Sequence, residues 1–336
     1  MESIVRRGTI YGRLLLVHAI AGEQHKKIML SSMCRIRMIE ERIADLYPEQ
    51  EMRCPVHLSI GQEAISVGVC SSLTDEDWVF AGHRGHAPYL AKGGCLKGML
   101  AELYGKSTGC CHGKGGSMHL TDQDVGFIGT TPIVGAAASI AVGASLTTKH
   151  NNHRRIVVVF VGDGAMETGV LHESMNFASL KKLPIIFVCE DNMYSVYSPP
   201  SVRRSAEVSL AELAGAHGLT ARKGNGNDAW EVFNLAADAR KHIAKGLGPV
   251  FLDLATYRWR EHCGPNYDND LGYRSEREFS IWKDQDPLEL ASSWMTSAEC
   301  KTAKVQITRE IDEAVQFAKS SPFPDPKIAS SNVFAP

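Results

Sequence analysis

The chain has 336 residues, 44% of them hydrophobic and 22% charged, with a formal net charge of -2. That length supports a substantial core, and so balanced a charge excludes a protein drawn to polyanions by its net field. No run approaches the roughly 18 apolar residues that cross a bilayer, so neither nucleic acid nor membrane is an expected partner.

Nine cysteines, an odd number scattered along a long chain, suit reduced thiols and a cytoplasmic location. Cys110, Cys111 and His112 are adjacent and lack the spacing of a structural zinc site. Residues 1–26 read as an N-terminal extension. Arg6, Arg7 and Arg13 and the short patch Leu14–Val17 give it a faint transit-like character, which would instead place the protein in the mitochondrial matrix.

Ile28, Met29, Met33, Ile36, Ile39, Ile43 and Leu46 recur at three- and four-residue spacing and predict a helix over 27–47, stopped by Pro48. The stretch 105–145 is rich in glycine and alanine, which lets backbone approach a ligand or another helix closely. Ile156–Val161 is an unbroken apolar, β-branched run and predicts a strand buried on both faces. A glycine turn at 162–164 follows, then a helical stretch to about Lys182. Pro184 precedes a second buried strand, Ile185–Cys189, which completes a right-handed βαβ unit. A third strand is expected at Val250–Leu254. Beyond 285 the pattern is helical to Ser320–Ser321–Pro322. The alternation predicts an α/β protein with a mostly parallel, doubly wound sheet flanked by helices. Residues 27–285 form the ligand-binding domain in this reading, and 286–336 a C-terminal helical segment and tail.

Ligands of open parallel sheets bind outside the carboxyl ends of the strands. GDGAMETG (162–169) follows the first buried strand and EDNMY (190–194) the second. Neighbouring strands would bring Asp163 and Asn192 together as hard oxygen ligands for magnesium, whose remaining positions go to phosphate oxygens and water. Gly162 and Gly164 leave room for phosphate, and the following helix N-terminus favours an anion. No strand opens into G-x-G-x-x-G, so a dinucleotide-binding dehydrogenase fits poorly.

GDG followed by an Asn-ending strand loop resembles the thiamin diphosphate motif. The surrounding blocks resemble the α subunits of pyruvate, branched-chain 2-oxo acid and acetoin dehydrogenases. They are RIRMIEERIADLY (35–47), HLSIGQEAISVG (57–68), GHRGHAPYLAKGG (82–94), GKGGSMH (113–119), IVGAAASIAVGAS (133–145) and TYRWREH (256–262). The likeness runs from about 28 to 325.

The resemblance implies a three-layer thiamin diphosphate-binding fold. Magnesium would be held by Asp163, Asn192 and the carbonyl of Tyr194. Arg84 would bind the diphosphate, with His83 as a phosphate neighbour and backbone contacts from Gly164 and Ala165. Val134 would be the wedge that keeps the cofactor bent. His57 and His262 are implied as catalytic or substrate-touching, His262 also at the cofactor; either could donate a proton to an oxyanion or steady a carboxylate. His86, His112 and His119 stay unassigned.

Several positions depart from the family pattern. Asp191–Asn192 replaces paired asparagines, and Pro132 replaces a glycine. Arg260 replaces the first histidine of HGH, leaving a cation at the mouth that Glu261 could neutralise. Cys263 replaces a regulated serine, which excludes phosphorylation there. The glutamate that faces the pyrimidine ring is missing, and Glu63 is not its equivalent. A β subunit is therefore expected to supply that residue in an α2β2 assembly.

The expected function is cleavage of a 2-oxo acid or acyloin, with the acyl group passed to a lipoyl acyltransferase. The 82–94 block and the lost HGH lean towards acetoin-type relatives. One alternative is a two-subunit carboligase that transfers an acyl anion to a carbonyl acceptor. Another is an inactive scaffold, which the intact Asp163, Asn192, Arg84, His57 and His262 argue against.

Overall fold

The computed structural model describes residues 22–331. The expected N-terminal extension lies, up to residue 21, outside the described residues. Helix α1 (Gly22–Leu46) buries Met29, Met33, Ile36, Ile39, Ile43 and Leu46, the stripe read from the sequence. It begins five residues before the expected start at 27. The extra turn has a tertiary cause: the ring of His25 packs 4.4 Å from that of Phe233. Pro48 sits in a 3-10 turn that ends the segment.

Helices α2 (Glu63–Ser71), α3 (His86–Ala91) and α4 (Leu96–Leu103) follow, with strand β1 (Trp78–Ala81) between the first two. Strand β2 (Phe127–Thr130) leads to α5 (Ala136–His150), and β3 (Val157–Gly162) to α6 (Gly169–Leu180). The rest of the sheet alternates in the same way: β4 (Ile185–Asp191), α7 (Leu210–Ala216), β5 (Thr220–Asn225), α8 (Ala229–Ala244) and β6 (Val250–Ala255). Short α9 (Glu276–Lys283) and α10 (Pro287–Leu290) precede the long α11 (Ser297–Ser320).

The six strands form one sheet in the order β2-β1-β3-β4-β6-β5, and every pairing is parallel. Side-chain alternation divides the core in two. Val158, Phe160, Ile186, Val188, Leu252 and Leu254 face α1–α4, α8 and α11. Val157, Val159, Val161, Ile185, Phe187 and Phe251 face α5, α6 and α7. The result is three layers, as expected. Gly68 lets α2 cross α8 closely: a Cβ there would meet Val232 at 2.7 Å. No described helix is long and apolar enough to cross a membrane.

The three strands read from the sequence are β3, β4 and β6. The short β1 and the edge strands β2 and β5 were not expected. The stretch after Gly162 also differs from expectation. Asp163–Glu167 is a 3-10 turn, and α6 starts only at Gly169. Any amides offered near Asp163 therefore come from that turn and not from the first turn of α6.

Candidate active site

Four loops meet at the carboxyl ends of β1, β3, β4 and β6. The register pairs Gly162 with Glu190, so Asp163 and Asn192 stand just beyond paired residues of adjacent strands. Both are buried. Asn192 donates through Nδ2 to Gln62 Oε1 at 2.9 Å, while its Oδ1 accepts the Tyr194 amide at 3.3 Å. Gln62 thereby fixes which way the Asn192 amide points. The Tyr194 ring is anchored by its hydroxyl, which donates to Glu278 at 2.8 Å.

Arg203 ties the two loop tips together. Its Nη2 donates to Asp163 Oδ2 and to the Met193 carbonyl, and its Nη1 donates to Glu167 at 2.9 Å. Burial pushes the Asp163 carboxyl up from its ordinary value; Arg203 opposes this and Asp191 adds to it. Gly164 matters sterically, since a Cβ there would lie 2.5 Å from Ser195 Oγ.

The basic half comes from the loops after β1 and β6 and from the segment before α2. The rings of His57, His83 and His262 form a triangle, with centroids 4.7, 5.2 and 5.3 Å apart. Arg84 is buried beside them and donates to the carbonyls of Leu58 at 2.5 Å and His262 at 3.1 Å. Among the described residues it forms no ion pair. Burial, reinforced by Arg258, lowers Arg84 to about 10. Burial first, and then the charge of Arg84, lowers His57 to about 2, His83 to about 4 and His262 to about 3. All three are neutral at pH 7. As neutral rings they can donate through N–H to an oxyanion or a carboxylate oxygen.

The other histidines stand apart from this triangle. His86 is fully buried and bridges Glu40 and Ser117, each at 2.7 Å. His112 and His119 are exposed, and the His119 ring lies on the Gly115 carbonyl at 2.8 Å. Val134 lies at the loop before α5 and is 49% exposed. Ala165 is buried in the 3-10 turn. Glu63 is committed elsewhere: Arg37 grips it through Nε at 2.5 Å and Nη2 at 2.9 Å.

Arg260 requires a correction. Glu41 on α1 pairs with it, whereas Glu261 accepts the amide of Asn266 at 2.9 Å. The Arg260 guanidinium also lies 4.3 Å from the Tyr267 ring centroid. This cation is spoken for and does not stand free at the mouth. Sequence reasoning also missed Gln62, Glu167 and Arg203. Gln62 had a signal in its GQEA block; Arg203 had none, because its partner lies 40 positions away.

The residues present suit a metal–diphosphate group. A buried guanidinium without a carboxylate is costly unless an anion meets it. Asp163 and the Asn192 amide oxygen stand on adjacent tips and offer the hard oxygens that magnesium would take. Gln62 Nε2 and His57 Nδ1 are buried without partners, and a Cβ on Gly82 or Gly162 would meet nothing within 4 Å.

A parallel α/β sheet with a buried arginine and an acid–amide pair at its strand ends places polar side chains where open sheets of this class bind their ligands. The chain belongs to the dehydrogenase E1 component family, whose model matches residues 31–327. It is 34% identical over 302 residues to the α subunit of acetoin:2,6-dichlorophenolindophenol oxidoreductase of Bacillus subtilis, covering 88% of this chain and 89% of that one. The pyruvate dehydrogenase E1 component α subunit of Rhizobium meliloti is 33% identical, covering 87% and 85%. The mitochondrial α-2 subunit of Arabidopsis thaliana is 35% identical, covering 90% and 77%.

Proposed function

We propose that this chain is the α subunit of a thiamin diphosphate- and magnesium-dependent first component of a 2-oxo acid or acetoin dehydrogenase. The carrying observation is that buried Arg84, which has no ion-pair partner among the described residues, shares one end of the sheet with Asp163 and Asn192. In this reading Asp163, Asn192 and the Tyr194 carbonyl hold the metal. Arg84, His83 and the backbone of Gly164 and Ala165 hold the diphosphate, and Val134 wedges the cofactor. Bound thiamin diphosphate supplies the electron sink for cleavage beside a carbonyl. His57 and His262, kept neutral by burial and by Arg84, present N–H groups or ring nitrogens to a substrate oxygen and move a proton there.

By the family likeness, the glutamate for the pyrimidine ring is assigned to a β subunit in an α2β2 heterotetramer; Glu63 is not a rival for that role, since Arg37 already holds it. Exposed Ile133, Val134, Ile140 and Leu146 at and along α5 support a covered subunit face. The acyl product passes to a lipoyl acyltransferase, and the cytoplasm is the proposed compartment.

The test is co-expression with a β-type subunit, followed by a panel of 2-oxo acids and acetoin with an artificial electron acceptor. Substrate-dependent reduction that requires both magnesium and thiamin diphosphate is expected. Carboligation without reduction would move the chain to a biosynthetic carboligase. Failure of the pair to bind the cofactor would remove the reading.

A further inference from the structure

Arg203 is the residue of this site that neither the motif nor the proposed chemistry uses. Its side chain is only 9% exposed, and one nitrogen touches both the Asp163 carboxylate and the Met193 carbonyl, at 3.3 Å from the latter. It thus joins the tips of β3 and β4 at the place where a metal held by Asp163, Asn192 and the Tyr194 carbonyl would join them.

We infer that Arg203 and the divalent metal compete for the carboxylate of Asp163, so that Arg203 is a built-in cation holding the seat which the metal must displace. The inference rests on the metal seat proposed above. Two cations on one buried carboxylate repel at short range, where little solvent screens them. Arg203 also has a second anchorage. Glu167 accepts its Nη1 at 2.9 Å and is held on its other oxygen by Arg204, also at 2.9 Å. When the metal takes Asp163, the guanidinium retains Glu167 and withdraws only the nitrogen that lay on Asp163. The backbone around it permits such a shift. Arg203 caps a three-residue 3-10 turn, Pro200–Val202, outside the sheet; the segment before it is held by an antiparallel bridge between Ser195 and Ser198 and by Arg258, which donates to the Val196 carbonyl at 2.6 Å.

The competition is read without catalysis. The full chain, co-purified with its β-type partner and stripped with a chelator, is titrated with Mn2+ alone, and free Mn2+ is counted by electron paramagnetic resonance. Arg203→Met should bind Mn2+ about 10-fold more tightly than wild type, and Arg203→Lys should stay near wild type because the charge remains. Arg203→Gln, neutral and still able to donate, replaces the Met variant if that one does not fold. Asp163→Asn should abolish binding in every background. Equal or weaker binding by the neutral variants, with the Asp163→Asn loss intact, overturns the competition. Mn2+ binding indifferent to Asp163→Asn overturns the metal seat itself and the competition with it.

Discussion

Replacing Asp163 by asparagine separates what this residue does for the fold from what it does for the cofactor. The carboxyl is 2% exposed, and burial raises its pKa despite the adjacent Arg203. A raised carboxyl pKa means that the folded environment disfavours the negative charge relative to the unfolded chain. An amide of the same shape therefore sacrifices little folding energy, and Arg203 keeps Glu167 at 2.9 Å. We expect a stability change within about 1 kcal/mol, or a shift of about 3 °C in Tm. The metal loses a full charge from its inner sphere. Changes one shell further out already cost 10- to 100-fold, so at least about 100-fold in affinity, near 2.7 kcal/mol, is expected here. Calorimetric titration of the chelator-stripped α–β pair with thiamin diphosphate in excess magnesium gives the affinity. Thermal unfolding with and without cofactor gives the stability, and only wild type should gain Tm on loading. Wild-type affinity in the variant would refute the seat. A collapse of the cofactor-free fold would refute the charge argument.

His57→Gln should lower kcat by roughly 100-fold or more and leave cofactor affinity within a few-fold, whereas His262→Gln, which also stands at the cofactor, should lower both; an equal loss of both in the His57 variant would make that residue a cofactor anchor instead. Glu63→Gln should destabilise the protein by about 3 kcal/mol, because Arg37 loses a fully buried partner and keeps only Asp286 at 3.1 Å. Denaturant midpoints would measure that loss, and cofactor affinity should not follow it. The cofactor-free protein should also lose stability as pH falls below 6.5. His57, His83 and His262 titrate near 2, 4 and 3 in the fold against 6.5 in the unfolded chain, so below 6.5 unfolding takes up protons. Above 6.5 these groups contribute no slope. Unfolding midpoints from pH 7.5 to 5 test this, and a histidine-to-glutamine variant should flatten the profile.

The legible parts of the molecule were those whose cause is local. Strands β3, β4 and β6 lie inside the sheet, so nearly every side chain is apolar and the run stands out. Strand β5 reads Thr-Ala-Arg-Lys-Gly-Asn because it is an edge, half exposed, and its sequence looks like a loop. Strands β1 and β2 have four residues each, too few to set a period. In the site, Asp163 and Asn192 were legible because a parallel register carries consecutive loops to one end. The partners of Arg203, Arg260 and Asn192 were not, since Asp163, Glu41 and Gln62 reach them only through tertiary packing. The 3-10 turn after Gly162 was hidden for a related reason: it packs so close to the loop after β4 that a Cβ on Gly164 would lie 2.5 Å from Ser195 Oγ, a tertiary contact the sequence does not display.

The central claim is tested most directly by anomalous diffraction from crystals of the α–β pair grown with Mn2+ and thiamin diphosphate. A single peak per α chain, about 2.1 Å from the Asp163 carboxylate, Asn192 Oδ1 and the Tyr194 carbonyl, is the predicted result. Manganese seated elsewhere, with those three oxygens turned away from it, would contradict the account.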